Sequence, residues 1–223
     1  KLDFKTEAKE ETQNDVSKFA DCFTYEDYYG TGYAITGLTE KGKREAELLS
    51  RKLVKESIDA VYCSTLGRAR LTAAPTLEKK GMVAEYCEWL REFDYAKVNY
   101  PYLDKPYLSW DVLPSYMEKQ PMLYSSEAWR NAEVLQDSEM PRLYDNVCRD
   151  LDALLARHGY GRDGFSYHVT HSNHDTIALF CHFGVTAVLL SHLMNCSPYS
   201  LWQNTATLPS SVTTLYTEER EEG

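Results

Sequence analysis

Between residues 37 and 90 the hydrophobic period switches repeatedly between that of a helix and that of a buried strand, and few folds accommodate such a switch. "GLTEKGKREAELLSRKLVKE" sets Ala46, Leu49 and Leu53 on one helical face, with Thr39 placed as an N-cap. "IDAVYCS" (58–64) is a short apolar run ending in small polar residues, the pattern of a buried strand feeding a loop. "LGRARLTAAPTLEKKG" returns to helical register through Leu66, Ala69, Ala73 and Leu77, and Gly81 suits the residue just past a helix end. "MVAEYCEWL" is another short apolar strand. Strands alternating with amphipathic helices predict βαβ units: an α/β fold, with a mostly parallel, doubly wound sheet and helices on both faces.

The rest of the chain is placed around that core. Residues 1–37 read as an N-terminal arm and loop, with a weak helical pattern in Val16, Phe19, Ala20 and Phe23 and a Tyr- and Gly-rich stretch after it. Residues 38–217 form the expected domain, and 218–223 a C-terminal tail. An insertion at 93–125 breaks the alternation; it holds six of the 17 tyrosines and four prolines. Insertions after strands in α/β folds commonly serve as lids or specificity walls, and an aromatic lid is the expectation here. Regularity resumes with a helix over 138–157, striped by Leu143, Val147, Leu151 and Leu154. Strands are then expected at "FSYHVT" (165–170), "TIALFCHFG" (176–184) and "SSVTTLYT" (210–217), with a buried helix at "VTAVLLSHLMN".

The formal net charge of −10 argues against nonspecific binding to nucleic acid or to an anionic membrane. It leaves room for a small anionic substrate held by a few focused cations. The six cysteines are scattered, without a C-x-x-C pair, and several sit in apolar runs, as free thiols of a reducing compartment do. "KLDFKTEAKEE" is too charged for a secretory leader, so a soluble cytoplasmic protein is expected.

Three pieces carry chemistry. "CSTLGRARLTA" (63–73) ends a strand in a small-residue turn and opens a helix with Arg68 in its first turn. Parallel sheets bind ligands at the carboxyl ends of their strands, and an Arg beside a helix N-terminus suits a phosphate, although the same Arg could be a solvated surface residue. "ALFCHFG" ends an apolar strand in His182, at a junction where small-molecule sites form; a satisfied buried His is the other reading. "WLREF" puts Glu92 just past a strand and just before the aromatic insertion, where a raised pKa would fit a general acid and solvent exposure would make it an ordinary charge.

Together these blocks resemble the histidine phosphatase superfamily, in its phosphoglycerate-mutase-like branch. The resemblance runs in order from "GLTEKGKREAELL" through "CSTLGRARLTAAPTL" and "WLREF" to "ALFCHFG" and "SSVTTLY", roughly residues 37–217. Its most specific piece is Ser64, Leu66, Arg68, Ala69 and Thr72, an S-x-L-x-R-A-x-x-T block. The resemblance implies hydrolysis of a small phosphorylated metabolite through a phosphohistidine, without metal or other cofactor. Arg68 and His182 would hold the phosphoryl oxygens, and Glu92 would protonate the leaving oxygen.

The family's phospho-accepting histidine belongs to an R-H-G block upstream of the "LTEKG" helix, and residues 1–37 contain no histidine. Arg157-His158-Gly159 spells the block but comes after a helical stripe, where a cation and a glycine suit a helix end. His168, His171 and His174 in "HVTHSNHD" straddle a strand and a loop, so no metal site is expected from them. The nucleophile is therefore truncated, replaced or lost. Two functions are consistent with this: a phosphatase of this type, whose activity the missing block impairs, or an inactive protein that binds a phosphate ligand or an interaction partner on the same fold. Oligomeric state is open.

Overall fold

A computed structural model describes residues 37–218. The expected N-terminal arm and most of the C-terminal tail lie outside the described residues. Helix α1 (Glu40–Leu53) starts at Thr39, whose Oγ1 accepts a hydrogen bond from Gly42 N at 3.1 Å. Strand β1 (Ala60–Ser64) leads into α2 (Gly67–Lys80), which stops at Gly81 in the left-handed conformation, φ 63°. Strand β2 (Ala84–Cys87) comes next. Each of these elements lies where the periodicity put it.

Among the described residues, β1 is the middle strand of a three-stranded parallel sheet, flanked by β2 and by β7 (Ile177–Phe180). Val61 and Cys63 face one side and Tyr62 the other, as a period of two requires, and all three are buried. On the Val61 side the strand packs with Leu49, Leu53, Ala69 and Ala73 from α1 and α2. On the Tyr62 side it meets a larger core that includes Val147, Leu151 and Leu154 of α4 (Met140–Arg157) and Val185 and Val188 of α5 (Phe183–Leu193). Helices therefore cover both faces, which is why β1 reads as a continuous apolar run rather than an alternating one.

The insertion is longer and better packed than its sequence suggests. Short pieces, among them β3 (Lys97–Val98), β4 (Tyr107–Leu108) and α3 (Pro114–Met117), continue to the start of α4. Phe93, Tyr100, Met117, Leu123 and Trp129 are almost fully buried, and Tyr100 OH donates to Ser109 O at 2.7 Å. With little regular structure to organise it, this segment buries large aromatic groups in the main core, where each contributes roughly 1.5–3 kcal/mol.

Of the later strands expected, one forms apart from the main sheet and one does not form. The strand over 165–170 forms as β6 (Ser166–Val169), but it pairs antiparallel with β5 (Tyr160–Asp163) as a separate hairpin outside the parallel sheet. Residues 210–217 form no strand. Strand propensity is realised only against a partner edge, and none of the described ladders includes this segment. Its Tyr216 is 90% exposed. Chain connection to the end of the fold is made by α6 (Pro198–Asn204), which packs against α5. Among the described residues no helix is long and apolar enough to cross a membrane.

Candidate active site

Strand geometry assembles the site. β1 pairs in parallel with both neighbours, Cys63 opposite Phe180 and Ser64 opposite Cys87, so the three strands end side by side. The segments leaving these strands must then emerge at one edge of the sheet. After β1 come Thr65, Leu66 and the first turn of α2 with Arg68; after β2 come a 3-10 turn (Glu88–Leu90), Arg91 and Glu92; after β7 come Cys181 and His182, the N-cap residue of α5. The sequence-predicted residues Arg68, Glu92 and His182 all line one cavity there.

His182 and Glu92 are fixed by identifiable bonds. His182 Nε2 lies 2.8 Å from Ser64 Oγ, which also accepts from Leu66 N at 3.2 Å; the hydroxyl thus links the turn after β1 to the imidazole. Glu92 Oε1 accepts two amide bonds, from Phe93 N at 2.9 Å and from Val185 N at 3.3 Å. One carboxyl oxygen therefore caps both its own 3-10 turn and the first turn of α5. Thr65 Oγ1 donates to Glu88 Oε2 at 2.6 Å, and Arg91 Nη1 donates to Glu88 Oε1 at 3.0 Å, tying the β2 exit to the β1 exit.

Gly184 makes this packing feasible. A Cβ there would fall 2.6 Å from Glu92 Oε1 and 2.6 Å from Trp110 Cζ3, closer than any side chain tolerates. Its carbonyl accepts from Trp202 Nε1 at 3.0 Å, so both sides of the glycine are occupied.

Electrostatics separate the two titratable groups. Burial raises the Glu92 carboxyl to about 7, against the opposing pull of the Arg68 charge and the two amide bonds. Burial also holds His182 well below the usual imidazole value, with Arg68 and then Arg91 adding to the effect. Near pH 7 the site thus contains a neutral imidazole, a carboxyl group half-protonated and the positive charge of Arg68. The N-terminal ends of α2 and α5 add partial positive charge where both helices begin. The arrangement can hold an anion and deliver a proton beside it.

Of the remaining histidines, His158, His168 and His174 also line this cavity, and His158 and His192 are each held by named partners. His158 ends α4 as its C-cap and is followed by Gly159 at φ 86°, the helix end that its sequence context predicts. Its ring is held between Tyr62 OH at 2.8 Å and Asp175 Oδ2 at 2.9 Å, while Arg157 forms a two-pronged ion pair with Glu85. His192 Nε2 bonds Asp152 at 2.9 Å, and the His168 ring lies against Gly161 in the β5–β6 hairpin. Among the described residues no group of three His, Cys, Asp or Glu side chains is placed to hold a metal ion.

Sequence reasoning did not single out Gly184, Trp110 or the bridging role of Ser64. Ser64 stood in the S-x-L-x-R block and Gly184 comes directly after "CHF", so both carried a signal of position. Trp110 carried none beyond its place in an aromatic insertion.

The cavity is about 2350 Å³ and extends from this cluster along β7. That exceeds what a small ligand fills, so any selectivity must come from walls close to Glu92 and His182.

Residues 31–104 match the pattern of the Histidine phosphatase superfamily (branch 1), a span that includes Arg68 and Glu92. A probable phosphatase of Schizosaccharomyces pombe is 40% identical over 65 residues, covering 29% of this chain and 31% of that protein. The chain thus spans about a third of the length of the curated relative it matches. Among solved structures, a phosphoserine phosphatase variant from Entamoeba histolytica in complex with phosphoserine superimposes with a TM-score of 0.52 at 15% identity, covering 83% of this chain and 82% of that one. A putative alpha-ribazole-5'-phosphate phosphatase from Escherichia coli gives a TM-score of 0.48 at 21% identity, covering 82% and 81%. At 15% identity the likeness to the phosphoserine phosphatase variant speaks to the fold alone.

Proposed function

We propose that this chain, which carries the histidine phosphatase superfamily's pattern over residues 31–104 and a parallel α/β fold of the same kind, binds a small phosphomonoester and acts as a phosphatase. The observation that carries this reading is the convergence of Arg68, Glu92 and His182 at the ends of three adjacent parallel strands. Arg68, His182 and the amides that open α2 and α5 bind the non-bridging oxygens of the phosphoryl group. In the net reaction the oxygen of a water bonds to phosphorus as the ester P–O bond breaks: Glu92 in its protonated form gives its proton to the leaving oxygen, so that an alcohol departs rather than an alkoxide, and the proton lost by the water returns to Glu92 as inorganic phosphate forms. A carboxyl group raised to about 7 is still substantially protonated at neutral pH, as that step requires. His182 stays neutral and serves as a hydrogen-bonding group whose ring orientation Ser64 sets.

A second reading is favoured by one specific observation. Residues 1–37, where the family's attacking histidine would lie, contain no histidine, and among the described residues His158 is held by Tyr62 and Asp175 and His192 by Asp152. On that reading the chain binds phosphate esters without turning them over.

Two measurements decide between them. Inorganic phosphate titrated calorimetrically into the wild-type chain is expected to bind, and Arg68→Ala is expected to weaken binding at least tenfold. Hydrolysis of p-nitrophenyl phosphate by the same preparation supports the phosphatase. Phosphate binding without hydrolysis selects the second reading, and absence of both overturns the site.

A further inference from the structure

The wall nearest Glu92 has a composition that the handling of phosphate does not account for. Trp110 and Phe183 meet edge to face, with ring centroids 6.4 Å apart at 89°, and both line the cavity that holds Arg68, Glu92 and His182. Neither is part of the sealed core, where Phe93 and Tyr199 are 0% exposed and Trp202 5%. Trp110 and Phe183 remain half-buried, with ring surface left over on the cavity side.

The wall is rigid. Gln203 Nε2 donates to Trp110 O at 2.9 Å, anchoring the backbone of the insertion to α6. Beneath the Trp110 ring lies the Trp202 ring, centroid to centroid 6.3 Å, whose indole N–H is itself bonded to Gly184 O. Phe183 is fixed as the first residue of α5.

Its position relative to the acid is set by Gly184. The Glu92 carboxyl and the Trp110 ring both come within 2.6 Å of the same point, where a Cβ on Gly184 would stand. A group leaving from phosphorus must place its oxygen at the Glu92 carboxyl to collect a proton. The next atoms of that group then lie against Trp110 and Phe183. Asp111, exposed on the same cavity, adds a negative charge next to the tryptophan and disfavours a second anion on the departing part.

From this juxtaposition we infer that the site is selective for phosphomonoesters whose alcohol part is apolar or aromatic and carries no second negative charge, with Trp110 and Phe183 as the specificity-determining residues. The inference rests on the phosphate-binding reading of Arg68, Glu92 and His182. Ring-on-ring contact of this kind is worth about a factor of ten in affinity.

The test uses stable phosphonates and does not depend on turnover. Phenylphosphonate, methylphosphonate and phosphonoacetate are titrated calorimetrically into the wild-type chain and into Trp110→Ala and Trp110→Phe. Wild type is expected to bind phenylphosphonate about tenfold more tightly than methylphosphonate, and phosphonoacetate most weakly. Trp110→Ala is expected to bring the phenyl-to-methyl ratio near one, and Trp110→Phe to restore most of it. Equal affinities in wild type, or a ratio that Trp110→Ala leaves in place, overturn the inference while leaving phosphate binding intact. A Trp110→Ala chain that loses methylphosphonate and phenylphosphonate alike assigns Trp110 a packing role and also overturns it. Failure of wild type to bind any of the three, or inorganic phosphate, removes the phosphate reading and this inference with it.

Discussion

Gly184 and Glu92 are mutually constrained: the carboxyl Oε1 stands 2.6 Å from where any Cβ on residue 184 would be, and the next amide in the helix, Val185 N, donates to that same oxygen at 3.3 Å. The acid is therefore seated on a bare stretch of helix backbone, and its position depends on that helix starting with a glycine at its second residue.

Gly184→Ala tests this seat directly. The added methyl has Glu92 on one side and the Trp110 ring on the other, and neither is the free end of a mobile chain. We expect a destabilisation of roughly 1–3 kcal/mol, typical of overpacking, readable as a lower midpoint in urea. Phosphonate binding should weaken as Trp110 and Glu92 are pushed apart. An alanine variant with wild-type midpoint and binding would show that the packing is looser than these distances state.

Glu92→Gln is expected to separate substrates by their leaving groups. An alkyl phosphate, which needs a proton on its leaving oxygen, should slow by about 10²–10³, in the range of a lost general acid. p-Nitrophenyl phosphate leaves as a stable anion and should slow far less. In wild type kcat should fall as pH rises through about 7, because only the protonated carboxyl donates. That alkaline limb should vanish in the glutamine variant, which a pH profile of kcat would show.

The same group makes stability depend on pH. Its folded value of about 7 lies above its ordinary 4.5, so between these two pH values the unfolded chain releases a proton that the folded chain keeps. Stability therefore decreases as pH rises from 4.5 to 7, and the full penalty, about 3 kcal/mol for a difference of this size, applies above it. Glu92→Gln should raise Tm by several degrees at pH 8 and change it little at pH 4.5. An equal effect at both pH values would mean that Glu92 is not desolvated in the folded chain.

Ser64→Ala removes the hydroxyl that links His182 to the turn after β1. The ring should then lose its fixed orientation, and inorganic phosphate affinity should drop several-fold with little change in Tm beyond the roughly 1 kcal/mol of a lost hydrogen bond. Because burial, Arg68 and Arg91 keep His182 neutral, its imidazole NMR signals in the wild-type chain should show no titration between pH 6 and 8.

His158→Ala separates a structural histidine from a functional one. Removing the ring leaves the buried Tyr62 hydroxyl without its partner, and we expect a cost of roughly 1–3 kcal/mol. Affinity for inorganic phosphate should be that of wild type, measured on protein shown to be folded by its thermal transition. A tenfold loss of phosphate affinity would place His158 in the site.

Much of this protein was legible in its residues. Periodicity located α1, β1, α2, β2, α4, β7 and α5, because a helix face and a buried strand each leave their own spacing in the chain. Arg68, Glu92 and His182 could be named because each lies just past a strand end, and parallel sheets place ligands there. His158 could be assigned to a helix end from the stripe before it and the glycine after it. What local pattern cannot hold is pairing. "SSVTTLYT" has the composition of a strand yet pairs with none of the described ladders, and "FSYHVT" forms one but in a hairpin apart from the main sheet.

The sequence by itself thus determined most of the regular elements of the α/β core and marked candidate residues at the strand ends. Tertiary structure decided which strands are neighbours, and so brought Ser64 within 2.8 Å of His182 across 118 positions of chain. It decided the charge states too, since desolvation, which raises Glu92 and lowers His182, depends on the atoms that surround a group and not on those beside it in sequence. And it turned Gly184 from a small residue after a strand into the place where an acid and an aromatic wall meet.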